Sequence, residues 1–182
     1  MGRLLDALGR WRHSRGYGVH SPFGYELVTR AVRPVGCAWY GYSAIDGAMG
    51  HSFDLNVRSQ ARMLLRLTAL LQPDSVFLPQ GSHPAYHAAL TAANSALRIV
   101  RLPKKASDCS MVCSKEDFIP LETLQSVIAT PGRWIVLRDT PEGWGDALFD
   151  SLPEGLMFEG QRNIFIIHRP GMQKVRHTMS IG

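Results

Sequence analysis

The sequence predicts an α/β fold: a mostly parallel sheet of about five strands with helices on both faces, preceded by an N-terminal helical arm. Three observations predict it. The stretch Ser75–Ala93, SVFLPQGSHPAYHAALTAA, runs from a short apolar strand (Ser75 to Leu78) through a turn with Pro79, Gly81 and Pro84 into an Ala-rich helix. This is the strand–turn–helix in which a ligand meets backbone N–H groups at a helix N-terminus. Downstream, β-rich runs alternate with helical segments at the spacing of a parallel sheet. The size and composition, 182 residues with 45% hydrophobic and 19% charged, suit one ordinary domain with a real core.

Taken in order, residues 3–12 place Leu4, Leu8 and Trp11 at helical spacing with arginines opposite, a short amphipathic helix. Gly16 and Gly18 then make a turn. Ser21 followed by Pro22 marks a helix start, because the serine oxygen accepts from orphan N–H groups and proline suits the first turn. That helix continues through Tyr25, Leu27, Val28 and Val32, with His20 and Ser21 read as packing and capping residues. Residues 34–55 are rich in glycine and aromatics without period and read as a connecting arm carrying Trp39, Tyr40 and Tyr42. The clearest helix is Asn56–Leu71, with Met63, Leu64, Leu67, Leu70 and Leu71 on its apolar face and Arg58, Arg62 and Arg66 opposite.

After the central unit, strands are predicted at Leu97–Leu102, Ser110–Cys113, Trp134–Leu137 and Asn163–His168, with helices at Leu121–Ala129 and Trp144–Leu152. No composition shift cuts the chain in two; residues 1–55 read as helices and an aromatic arm packed on a core of residues 56–182.

No apolar run approaches the roughly 20 residues that a membrane helix needs. The N-terminal arginines precede no continuous apolar segment, so a secretory signal is not expected and the reading is cytoplasmic. Three cysteines, Cys37, Cys109 and Cys113, fit a reducing compartment as structural thiols. Cys109 and Cys113 lack the two further soft ligands of a zinc site, and His83 and His87 lack the glutamate of a metalloprotease helix, so no metal is expected. The net charge of +5 permits an anionic partner without identifying one.

With these segments placed, the chain resembles a bacterial group of class I S-adenosylmethionine-dependent methyltransferase-like proteins. The resemblance rests on Tyr17–Phe23 (YGVHSPF), on the aromatic arm with Tyr40, Tyr42 and Ile45, on Ala61–Val76 leading into the first strand, and on Ile167–Val175 (IHRPGMQKV) as the exit of strand five. It implies a Rossmann-like sheet with the cofactor at the carboxyl ends of the early strands. The family carries an acidic residue and glycines after strand one, of the form E-L-G-T-S-x-G. Here Leu78 stands for the acid, and Gln80 and Pro84 stand for glycines. The ribose-holding acid expected after strand two is replaced by Leu102-Pro103-Lys104-Lys105, and lysines cannot accept from hydroxyls. At the end of strand five, Phe165 and Ile166 stand where acids are usual. The chain also stops at Gly182, before the final strand pair that the family usually has, which would leave an open sheet edge for a protein partner or a second copy to cover.

The leading expectation is therefore a degenerate methyltransferase-like protein that has lost S-adenosylmethionine and serves as a binding or structural protein. The alternative is an active methyltransferase with an altered pocket. Gly81, Ser82 and His83 would be its cofactor contacts, and Asp139 and His168 its orienting carboxylate and general base, both placed at carboxyl ends of strands. A third reading is a nucleic-acid-binding module using Arg58, Arg62, Arg66 and the basic N-terminus. Glu142, Asp146 and Asp150 read as a solvated acidic stripe.

Overall fold

A computed structural model describes residues 21–102 and 108–178, apart from 33, 35–37, 116–118 and 161–162. The amphipathic helix expected at 3–12, the turn at Gly16 and Gly18, His20, Cys37, Lys104 and Lys105 lie outside the described residues. The chain is mixed α/β and forms two compact units. One holds the residues up to Pro73 together with Gly81–Leu97; the other holds Asp74–Gln80 and the residues from Arg98 onward. The helices on either side of the first strand belong to the first of these units.

The helical unit begins with α1 (Pro22–Glu26), which passes directly into a π-helical turn, Leu27–Val32. Ser21 caps α1 as expected, its hydroxyl accepting from the Gly24 N–H at 3.2 Å. The aromatic arm contains a helix that the sequence reading placed in a connection, α2 (Tyr42–Met49). Only Ile45 and Met49 of α2 are buried, one helical turn apart, which is too thin an apolar stripe to register as a period. Gly41 lets α2 start close to its neighbours: a Cβ there would collide with the Leu65 side chain and press on the Ala92 methyl.

Helix α3 (Leu55–Leu71) starts at Asp54, whose carboxylate accepts from the N–H groups of Asn56 at 2.9 Å and Val57 at 3.1 Å. It ends where Gln72 turns left-handed, φ 44°. It packs against the π-helical turn, α2 and α4 (Pro84–Ala93), and the Tyr86 hydroxyl donates to Gln60 at 2.8 Å.

The predicted solvated face of α3 holds only in part. Arg58 and Arg62 both reach Asp46, at 3.3 and 3.0 Å. Arg66 is instead buried: its Nε donates to the Ala31 carbonyl at 2.6 Å, its Nη2 to Val32 O at 3.4 Å and its Nη1 to the Tyr42 hydroxyl at 2.6 Å. Burial pushes this guanidinium below its ordinary range, against the raising effect of Tyr42. The two carbonyls belong to the end of the π-helical turn, so Arg66 serves as a side-chain cap of its C-terminal end.

Among the described residues the sheet unit contains seven strands rather than about five: β1 (Ser75–Phe77), β2 (Arg98–Val100), β3 (Met111–Lys115), β4 (Trp134–Arg138), β5 (Leu156–Glu159), β6 (Asn163–Ile167) and β7 (Val175–Thr178). They form one sheet in the order β2-β1-β3-β4-β6-β5-β7. The first four are parallel, but β6 runs antiparallel to both β4 and β5, and β7 runs parallel to β5. The sheet is therefore mixed. Asn163–His168, read as the last parallel strand, is in fact the reversed one.

Helices α5 (Leu121–Ile128) and α6 (Trp144–Ser151) pack together on one face, and Gln125 donates to Ala147 O at 3.3 Å. The core there is built from Phe77, Leu124, Ile135, Leu148, Met157 and Ile166. On the other face, Phe165 stacks on Phe158 with centroids 5.9 Å apart, Phe158 stacks on His177 at 5.4 Å, and Trp134 meets Phe165 edge-on at 6.4 Å. Phe165, Phe158 and His177 sit in direct register, so this cross-strand aromatic row pins the order β6-β5-β7.

Replacing Arg66 by alanine removes a donor from two interior carbonyls and a phenol. Urea denaturation of R66A is expected to show a loss of about 3 kcal/mol, the scale of charge-assisted hydrogen bonds broken on one side. The matching R62A variant, whose ion pair is exposed, is expected to lose less than about 1 kcal/mol.

Candidate functional site

In an open sheet of this kind a ligand belongs at the carboxyl ends of the strands, where the strand order reverses. Here the order reverses at β1, which has β2 on one side and β3 on the other. Leaving β1, Leu78 is buried at 2% exposure and its N–H donates to Val100 O at 2.9 Å, so its side chain is part of the core.

The turn then delivers Gly81, Ser82 and His83 to the start of α4. Gly81 is left-handed, φ 87°, and opens onto free space. His83 is the cap of α4: its Nδ1 accepts from the Ala85 N–H at 3.2 Å, and its carbonyl accepts from the Tyr86 N–H at 3.0 Å. Because Nδ1 accepts, the proton of the neutral ring is on Nε2. Pro84, at the first helical position, has no N–H at all. The donors that a helix N-terminus normally offers to an anion are thus absent or already used. His83 also meets the Tyr86 ring edge-on at 6.3 Å, which orients the imidazole.

Asp139 and His168 do not come together. Asp139 follows β4 at the carboxyl end with φ 52°, a left-handed backbone that a non-glycine residue adopts at a cost. His168 follows β6, which runs the other way. All five rungs of the β4–β6 ladder, from Arg138↔Asn163 to Trp134↔Ile167, lie between the two. At about 3.3 Å per residue that is about 20 Å along the strand axis.

At its end of the sheet His168 is 3% exposed and holds structure. Its Nδ1 lies 2.9 Å from Ile128 O, and since a carbonyl only accepts, Nδ1 carries the proton. Ile128 ends α5, so His168 caps the C-terminus of that helix. Its Nε2 faces Glu154 at 3.8 Å, and Glu154 in turn accepts from the Gly171 N–H at 2.8 Å.

The carboxyl end of β4 does open into a cleft of about 430 Å³. Thr140, Pro141, Glu142, Gly143 and the first turn of α6 line one side; Glu159, Gly160, Asn163 and Ile164 line the other. Its polar character comes from carboxylates that the sequence reading placed in a solvated stripe (Glu142 and Asp146) and from Glu159, which lies on an unpredicted strand. Gly145 makes room for Glu159, since a Cβ there would collide with the Glu159 carboxylate. Arg176, on β7, donates to Asp146 at 2.5 Å and to Glu159 at 2.9 Å. Partial burial opposes its charge, but the two carboxylates outweigh it and hold the guanidinium above its ordinary range.

Among the described residues no cluster of histidine, cysteine and carboxylates is placed to hold a metal ion, and no helix is long and apolar enough to cross a membrane. Cys109 is a buried thiol, pushed up by desolvation against the lowering effects of Arg98 and Ser75, as a structural thiol would be. Comparison with protein-family models, curated proteins and solved structures returned no match.

A D139A/H168A double-mutant cycle in urea tests whether the two residues act as a pair. The expected coupling is within about 0.5 kcal/mol of zero, as for distant sites. H168A alone is expected to lose about 2 kcal/mol through the orphaned Ile128 carbonyl and the vacated space.

Proposed function

We propose that the chain is a methyltransferase-like protein with a Rossmann-like core that no longer holds S-adenosylmethionine and acts by binding or as a structural component. One observation carries this reading. The start of α4 spends its polar groups on itself, since His83 caps the helix and Pro84 removes a donor, and Leu78 belongs to the core. An adenosyl cofactor's carboxylate and ribose need free donors and acceptors at that turn. The reversal of strand order at β1 supports the fold half of the reading. So does the antiparallel β6 between β4 and β5, a strand pair that the resemblance had implied to be missing.

A second reading, an active methyltransferase with an altered pocket, draws on the cleft beside the strained Asp139. It loses its proposed base, because His168 caps α5 at the far end of the ladder. The nucleic-acid reading is weakened in the same way, as Arg58 and Arg62 share Asp46 and Arg66 is buried.

Isothermal titration with S-adenosylmethionine and S-adenosylhomocysteine separates these readings. No saturable heat is expected for either compound, and low-micromolar affinity for either would overturn the proposal. If binding were seen, its loss in H83A would assign it to the β1–α4 turn and its loss in D139A to the β4 cleft.

A further inference from the structure

We propose that β7 is a salt-releasable strap, an edge strand latched to the sheet chiefly by Arg176, whose release frees two carboxylates of the β4 cleft. The inference does not depend on whether cofactor binding has been lost.

Among the described residues β7 pairs only with β5, and its outer side has no strand partner. Of its four residues only His177 is buried, on the ring of Phe158. By contrast all five residues of β6 are buried and it is paired on both sides. What β7 lacks in apolar burial it makes up with charge. Arg176 bridges Asp146 on α6 and Glu159 on β5, and Lys174, just before the strand, lies 4.6 Å from the Phe149 ring and donates to Asp150 O at 3.3 Å.

These contacts sit near water. The Asp146 side chain is 70% exposed and that of Arg176 is 32% exposed, so dissolved salt screens their attraction. A buried apolar strand gains nothing comparable from low ionic strength. The two ends of the latch also belong to the cleft, since Asp146 and Glu159 line it together with Glu142. While β7 is docked their charge is spent on Arg176. When β7 lifts, both carboxylates face the cleft without their guanidinium.

Hydrogen exchange of the full chain, read by mass spectrometry on peptides covering 163–167 and 175–178, tests this. Raising sodium chloride from low to high concentration is expected to speed exchange in 175–178 by roughly two- to ten-fold, the range that exposed ion pairs can supply. Exchange in 163–167 should stay constant. R176Q is expected to show the fast rate at every salt concentration, and D146N, a change at an exposed position, an intermediate rate with a weaker salt response. Salt-independent exchange in 175–178 of the unmodified chain overturns the proposal. So does an acceleration shared equally by 163–167, which would mean opening of the whole sheet.

Discussion

The reversal of β6 is the constraint on which the sheet and its candidate site both depend. Only residues 160–162 separate β5 from β6, and a parallel pairing needs a crossover of a dozen residues or more. A connection that short can only turn back, and Gly160 closes it by donating to Asn163 O at 2.8 Å. Because β6 sits between β4 and β5, β5 can run parallel to β4 without touching it. The residues directly after β6 therefore emerge at the amino end of the parallel strands. His168 is carried there, away from Asp139, and the cleft at the other end is left to the carboxylates of the β4–α6 connection and the β5–β6 hairpin.

This also explains which parts of the molecule were legible in the sequence. The long or strongly patterned elements, α3, α4, α5, α6, β1, β4 and β6, appear within a residue or two of their expected limits. The runs for β2 and β3 were also read correctly, with β3 extending two residues further. What escaped was short or polar. LMFE of β5 follows α6 too closely to stand out as a separate run, and VRHT of β7 carries one buried side chain. Missing β5 removed the clue to the direction of β6, because the short hairpin is visible only once both strands are placed. The error over the His168–Asp139 pair follows from that single omission.

The basic stripe of α3 failed for a different reason. A four-residue period puts Arg58, Arg62 and Arg66 on one side of a helix, and on an ordinary surface helix that side is wet. Yet from Met63 to Thr68 every residue of α3 is buried, so no wet side exists at that level. Arg66 is tolerated there because the π-helical turn ends against it with carbonyls that need donors. Arginine suits the position: its fork reaches two carbonyls and a phenol at once, where a lysine would supply one compact charge. Sequence spacing could locate the arginine but not the carbonyls, which come from a segment 34 residues away.

The turn at Gly81–His83 supplies the start of α4 with caps of its own. A helix start near a ligand is held by two sets of partners, the ligand when bound and the protein's own caps when it is not. In this chain the second set is complete: the His83 ring and carbonyl take the first two N–H groups, and Pro84 has none to offer. Capping of this kind is worth about 1 kcal/mol to the helix, and it is present whether or not anything binds. A ligand would have to displace the imidazole before it could bond the Ala85 N–H, so that contact would be offset by a lost one. The start of α4 thus has its caps in place without a bound molecule.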